Sequence, residues 1–240
     1  MDGQSPKETA WLIIGASGHG RSLAAIIRGR GERIAALSDR AFGTVGARPD
    51  DPAPDLAAFA GRDGELPDCF GDDGEALDYA ARHSLAIAVG IGDNPIRSKI
   101  ADGILAEPRL AALALPLVAR SATVDSTAVL GALSQVCEHA HVGPQARIGD
   151  AAVINTSAVV EHDAVVGAGT HIAPGAVLLG AAVTGIQVFL GSGARILPGI
   201  SVGDFAVLGA GAVATRPLAG MTTYVGVPAQ RLVSTKGPAN

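Results

Sequence analysis

Aromatic side chains are scarce in this 240-residue sequence, which holds one Trp, two Tyr and five Phe. Cysteine is limited to Cys69 and Cys137, so no disulfide framework is implied. Long apolar runs are missing as well. The longest, Ala111 to Ala119, is nine residues, contains Pro116 and lies between Arg109 and Arg120. Crossing the hydrocarbon layer needs about 20 residues, so the mean hydropathy of +0.33 does not come from a membrane span. The opening segment MDGQSPKETA is polar and has no apolar core of a secretory signal. The expectation is a soluble, cytoplasmic chain with no membrane partner. A basic surplus is also lacking: 18 Lys and Arg face 23 Asp and Glu, for a net charge of −5, so no nucleic-acid surface is expected. What is present is Ala, Val, Ile and Leu with 32 Gly, enough apolar mass for one or two folded domains.

The second half is periodic. From Val124 an aliphatic residue recurs every six positions through Val142, Ile148, Val160, Ile172 and Leu190 to Leu208; fourteen of these fifteen positions are aliphatic, the exception being Thr184. Four residues after each stands a second series, Ala in eleven of fifteen cases and otherwise Ser134, Thr170, Val188 and Ile200. Helices repeat near 3.6 and half-buried strands at 2.0, so a period of six fits neither alone. It fits short strands joined by tight corners, three strands to a coil, with the branched side chain inside a triangular prism. Fifteen hexads predict five coils over Val124 to Val213, a column on the order of 24 Å at the ~4.8 Å strand spacing. The narrow prism accounts for part of the aromatic poverty, because only Phe189 and Phe205 fall within the repeat. This hexapeptide pattern resembles that of the left-handed parallel β-helices, and the left hand is what that resemblance implies, since parallel crossovers are otherwise right-handed.

The first half reads as a small Rossmann-like α/β domain with a parallel sheet. Trp11 to Ile14 predicts a strand, Arg21 to Arg30 a helix and Arg33 to Leu37 a second strand ending at Ser38-Asp39. Between strand and helix lies Gly15-Ala16-Ser17-Gly18-His19-Gly20. The spacing is GxxGxG, not the GxGxxG dinucleotide fingerprint, and a tight turn before a helix competes with an anion-binding loop. Residues 42–75 are rich in Gly, Pro and Asp and predict a long surface loop with one short helix around Leu56–Ala60. Glu75 to His83 predicts a helix and Leu85 to Val89 a third strand. After Gly90-Ile91-Gly92-Asp93-Asn94-Pro95, Ile96 to Glu107 predicts a further helix with Asp93 or Asn94 as its cap. Loops after parallel strands are where such sheets hold ligands. The expected domains are 1–117 and 118–240.

Five segments together carry a family resemblance: IIGASGHG (13–20), LSD (37–39), GDNPIR (92–97), INTSAVVEHDAVVG (154–167) and VGVPAQRL (225–232). In this order the sequence resembles the NeuD/PglD-type sugar acetyltransferases from about Trp11 to Leu232, with residues 43–66 resembling an insertion. The resemblance implies a homotrimer that transfers acetyl from acetyl-CoA, without a metal, to an amino group on a nucleotide-linked 4-amino-4,6-dideoxy sugar, for surface polysaccharide or glycan assembly. His162 stands at the family's catalytic histidine and Asp163 at its acidic neighbour. An imidazole titrates in a range suited to accepting an amine's proton, and a carboxylate beside it fixes its orientation. His171, Gly180, Ser192, Ala210 and Arg231 correspond to positions toward acetyl-CoA. Ser17, Gly18 and His19 correspond to the phosphate loop, Asp39, Gly92 and Asn94 to the base and ribose, and Asn155 to the amino-sugar pocket. The chain departs from common family residues at Ser38, Ala119, Gly143 and Gln230.

Other readings remain open from the residues alone. His162 occupies an outward repeat position that accepts any polar residue. Arg231 reads equally as a solvated tail arginine. Glu138, His139 and His141 make only a weak metal pattern and read as solvated. Competing activities are O-acetylation of a sialic-acid-type sugar, a dinucleotide-dependent oxidoreductase, and a non-catalytic β-helix that assembles other enzymes. The GxxGxG spacing argues against the oxidoreductase, and the intact Glu161-His162-Asp163 segment argues against the inert scaffold.

Overall fold

The computed structural model describes residues 9–43 and 54–232. The expectations for the polar N-terminal segment and for residues 44–53 of the insertion therefore fall on residues mostly outside those described. The chain divides into two compact units, one of Met1–Ala122 with Ala132–Glu138, the other of Thr123–Gly131 with His139–Asn240.

The first unit is built on a four-stranded parallel sheet. β1 (Ala10–Ile14), β2 (Arg33–Ser38), β3 (Asp68–Phe70) and β4 (Ala86–Val89) lie in the order β3-β2-β1-β4. Continuous apolar runs such as Trp11 to Ile14 and Ile87 to Val89 are buried, as strands covered on both faces require. The helices are α1 (Gly18–Arg30), α2 (Asp73–His83) and α3 (Asn94–Ala106). Gly31 closes α1 in the left-handed region at φ 84°. Asp72 and Asp93 cap α2 and α3, accepting from Glu75 N at 3.0 Å and Ile96 N at 2.9 Å. Caps of this kind contribute about 1 kcal/mol each.

Two expectations are corrected here. The stretch 42–75 is not all surface loop: β3 lies within it, so Ala86–Val89 is the fourth strand, not the third. A three-residue edge strand preceded by Pro67 carries too little alternation to stand out. Within the same stretch, the short helix Leu56–Phe59 buries Phe59 completely. The second correction concerns α1, which begins three residues earlier than the apolar spacing implied. Gly18, His19 and Gly20 form its first turn rather than a loop, with Ser17 as the N-cap residue.

Two-residue strands recur every six residues from Leu117–Val118 to Val213–Ala214, so the repeat starts one strand before Val124 and makes a left-handed β-helix of about six turns. In the second unit Val159–Val160, Val177–Leu178 and Arg195–Ile196 stack on one face, Val165–Val166, Val183–Thr184 and Ser201–Val202 on the next, and Val153–Ile154, His171–Ile172, Phe189–Leu190 and Val207–Leu208 on the third. Inward residues such as Val160, Ile172, Leu178 and Leu190 have no exposed surface, each contributing on the order of 1.5–3 kcal/mol of burial. The polar exceptions are satisfied: buried Thr170 donates to the Gly185 carbonyl at 2.9 Å, and buried Thr184 Oγ1 accepts from Gly167 N at 3.2 Å.

The corners have their own period. From Leu133 to Gly211 every sixth residue has positive φ, and most of them, including Gln145, Ala151, Asp163 and Phe205, are not glycine. Left-handed backbone costs an L-residue roughly 1–2 kcal/mol. At several corners it is offset because the N–H donates to the preceding coil, as Asp163 N does to Pro144 O at 2.9 Å, Gln187 N to Ala168 O at 2.8 Å and Gln145 N to the Thr127 hydroxyl at 2.9 Å. Among the described residues no helix is long and apolar enough to cross a membrane.

Candidate active site

His162 stands at a corner between the strands Val159–Val160 and Val165–Val166. Its backbone is fixed from both sides: Ala181 N donates to His162 O at 2.9 Å, and the next residue donates downward to Pro144. The left-handed φ of 60° at Asp163 brings that carboxylate beside the ring, where Oδ2 accepts from His162 Nδ1–H at 2.8 Å. Asp is among the few residues that tolerate this conformation readily. Both side chains are open to solvent, at 62% and 60% exposure.

The ring rests on a glycine. Gly180 follows His162 by eighteen residues, one full coil, and a side chain there would stand 2.6 Å from both Cε1 and Nε2 of His162. Gly180 has no positive φ, so space and not backbone freedom calls for glycine. Gly143, one coil before Glu161, would likewise press a side chain to 2.9 Å from the His162 amide nitrogen. The residues matched to the acyl-donor groove thus separate into two places. Gly180 seats the histidine, whereas Ser192 and Ala210 are exposed at the neighbouring corner, joined there by Gly211 N donating to Ser192 O at 2.9 Å. Asn155 begins that same corner. Its Oδ1 accepts from Thr156 N at 2.7 Å, which turns Nδ2 toward His171 Nε2 at 3.0 Å, and His171 meets Phe189 edge-on at 5.4 Å. Arg231 is exposed in the antiparallel pair Thr223–Val225 with Gln230–Arg231.

The first unit gathers a second group at the carboxyl ends of its strands. Asp39 Oδ2 accepts from Ala16 N at 2.7 Å and Oδ1 from Ala41 N at 3.0 Å, tying the end of β2 to the glycine-rich loop. Ser17 and Gly18 are exposed at the start of α1, whose first-turn amides lack helical acceptors. Ser38, fully buried, donates to Asp73 Oδ1 at 2.6 Å. In the loop after β4, exposed Gly92 and buried Asn94 are held by Arg97, which donates to Ile91 O, Gly92 O and Asn94 Oδ1 at 3.1, 3.0 and 2.8 Å. Arg97 is completely buried, and desolvation pulls its guanidinium down to about 10. The sequence reading passed over Arg97 as a site residue although it stands in the quoted GDNPIR segment. Cys137 is buried, and that burial pushes its thiol up to about 12, far from a nucleophile's range. Among the described residues no group of His, Cys, Asp and Glu is placed to hold a metal ion.

Residues 145–180 match the family model "Bacterial transferase hexapeptide (six repeats)". Among curated proteins none matches the chain in sequence. The solved structure of PerB from Caulobacter crescentus, in complex with CoA and GDP-perosamine, is 30% identical with a TM-score of 0.74, over 93% of this chain and 97% of that one. The acetyltransferase domain of PglB from Neisseria gonorrhoeae, in complex with acetyl coenzyme A, is 28% identical with a TM-score of 0.76, over 94% and 100%. WeeI from Acinetobacter baumannii shares the fold at 23% identity and a TM-score of 0.74, over 93% and 100%. With a relative this similar along nearly its whole length, and with the hexapeptide prism and the α/β unit both present, the chain belongs to the NeuD/PglD-type family of sugar N-acetyltransferases.

Proposed function

We propose that the protein transfers acetyl from acetyl-CoA to the amino group of a nucleotide-linked 4-amino-4,6-dideoxy sugar, with His162 as general base. The observation that carries this reading is the His162–Asp163 pair on its glycine seat. Because the carboxylate accepts the hydrogen bond from Nδ1–H, the ring's lone pair is on Nε2, the edge lying over Gly180. The amine nitrogen attacks the thioester carbonyl carbon, the C–N bond forms, and the C–S bond breaks as the tetrahedral intermediate collapses. His162 Nε2 accepts the nitrogen's proton and returns it to the departing thiolate, while Asp163 stabilises the imidazolium between these steps. No acyl-enzyme is involved.

The acyl donor is assigned to His171, Ser192, Ala210 and Arg231, with Gly180 below the reacting edge. The nucleotide diphosphate is assigned to Ser17, Gly18 and His19 at the start of α1, a position favourable to anions. Asp39, Gly92 and Asn94 serve the nucleoside, and Asn155 the sugar. His162 and the Ser192–Ala210 pair occupy different corners of one prism, which supports a homotrimer whose sites are completed between neighbouring copies. The Caulobacter complex with CoA and GDP-perosamine supports the substrate class.

The test is thiol release from acetyl-CoA against GDP-, UDP- and dTDP-linked amino sugars and free sialic acid. Turnover with an amino sugar nucleotide is expected. Turnover with sialic acid alone would replace the reading by O-acetylation, and His162→Ala should lower kcat by roughly 10²-fold or more.

A further inference from the structure

The glycine-rich loop and the loop after β4 meet through their backbones. A side chain at Gly90 would stand 2.7 Å from Gly20 Cα and 2.8 Å from the Gly15 carbonyl oxygen, and one at Gly20 would stand 2.0 Å from that same oxygen. Gly90 N also donates to Ile14 O at 2.7 Å, so the two loops leave the sheet locked together. One side chain bonds both. Gln135 occupies an outward position of the hexapeptide repeat, where solvent exposure is usual, yet it is only 1% exposed. Its Nε2 donates to the carbonyl of Val89, the last residue of β4, at 2.7 Å. Its Oε1 lies 2.7 Å from His19 Nε2, in the first turn of α1.

These two contacts leave no choice of orientation. A carbonyl oxygen only accepts, so the amide NH₂ must face Val89 and the amide oxygen must face His19. The imidazole therefore carries its proton on Nε2. We propose that Gln135 is a positioning residue of the nucleotide-sugar site, whose amide braces the two ligand loops against each other and fixes the His19 proton on Nε2. This rests on the reading of the first unit as the nucleotide-sugar site. Burial, and after it the charge of Arg97, lower the His19 pKa against the opposing effect of the Gln135 bond, in keeping with a neutral ring. A diphosphate at this loop then meets the amides of the first helical turn and not an imidazolium.

Gln135→Met keeps the volume and removes both hydrogen bonds. In ¹⁵N spectra of the imidazoles, wild-type His19 is expected as the neutral Nε2–H form between pH 6 and 8, and as a mixture of tautomers in Gln135→Met. The Kd for whichever of GDP, UDP and dTDP binds the wild type best should rise about tenfold, the scale of losing one or two hydrogen bonds, while the KM for acetyl-CoA stays within twofold. In a His19→Ala background the same substitution should cost less than threefold. Gln135→Glu is the second variant should Gln135→Met not fold: it keeps an acceptor toward His19, loses the donor to Val89, and should drive His19 toward the imidazolium. An Nδ1–H tautomer in the wild type, a His19 signal unmoved by both variants, or an unchanged nucleotide Kd beside an altered tautomer would each overturn the proposal. If the wild type binds none of the nucleotides while His19 shows the Nε2–H form, the site reading has failed and the positioning role falls with it, leaving the hydrogen-bond assignment intact.

Discussion

Replacing Gly180 by alanine adds one methyl group directly beneath the His162 imidazole, the proposed general base. The new carbon would lie 2.6 Å from both Cε1 and Nε2, where ordinary contacts begin near 3.4 Å, so the ring must retreat by nearly 1 Å. Gly180 does not use the left-handed region, so the backbone accepts alanine, and a ring 62% exposed can move without disturbing the core. Folding stability should therefore change by less than about 0.5 kcal/mol, as for surface substitutions generally. Catalysis should not escape, because a 1 Å misplacement of a reacting group costs on the order of 10²-fold, or ~2.7 kcal/mol in the barrier. The assay is thiol release at saturating acetyl-CoA and amino sugar nucleotide, together with a thermal melt of the same preparation. In a His162→Ala background Gly180→Ala should add almost nothing. A Gly180→Ala enzyme with wild-type kcat, or one losing as much again without the histidine, would refute the idea that glycine here serves the ring.

Three further outcomes are expected. The lowered His19 pKa means that the folded state resists protonation more than the unfolded chain, so its contribution is whole above the unfolded value near 6.5 and declines as pH falls toward the folded value; melting temperature measured from pH 8 to 5 should drop more steeply in wild type than in His19→Asn. In native protein a thiol reagent should modify exposed Cys69 but not Cys137, with both reacting after denaturation, and Cys137→Ser should keep at least half of wild-type turnover. Gln145 is exposed at φ 59°, so Gln145→Gly should stabilise by roughly 0.5–1 kcal/mol and Gln145→Val should destabilise, compared by denaturant titration; equal stability of the two would contradict strain at the corners.

The prism was legible because its rule is local. Each two-residue strand sends one side chain inward, so the aliphatic series from Val124 to Leu208 and the alanines after it record the packing directly. The corner conformation left no such record, since Leu133, Gln187 and Phe205 adopt positive φ through hydrogen bonds to the coil below and not through their own preference. In the α/β unit, β3 escaped because an edge strand of Asp68, Cys69 and Phe70 has neither length nor alternation. The pair His162–Asp163 was singled out through the resemblance of residues 154–167, and its contact is local because the two residues are adjacent in the chain. Gly180 and Gln135 acquire their roles from partners 18 and 116 residues away, and at their own positions a glycine or a glutamine is unremarkable in a repeat. Contacts that depend on stacking or on chain return have no sequence signature short of the fold itself.

The seat beneath His162 ties the placement of its ring to coil length. Gly180 meets the imidazole only because the intervening chain closes one circuit in eighteen residues. A single residue inserted between positions 164 and 179 would leave every residue of the site unaltered, yet it would carry a different side chain under the ring and shift the corner turns out of phase. A whole additional coil would preserve the phase and still interpose a new floor. Lineages of such enzymes can lengthen or shorten the prism at its ends, or bulge it at a corner, but the circuit from His162 to Gly180 has to be inherited at constant length.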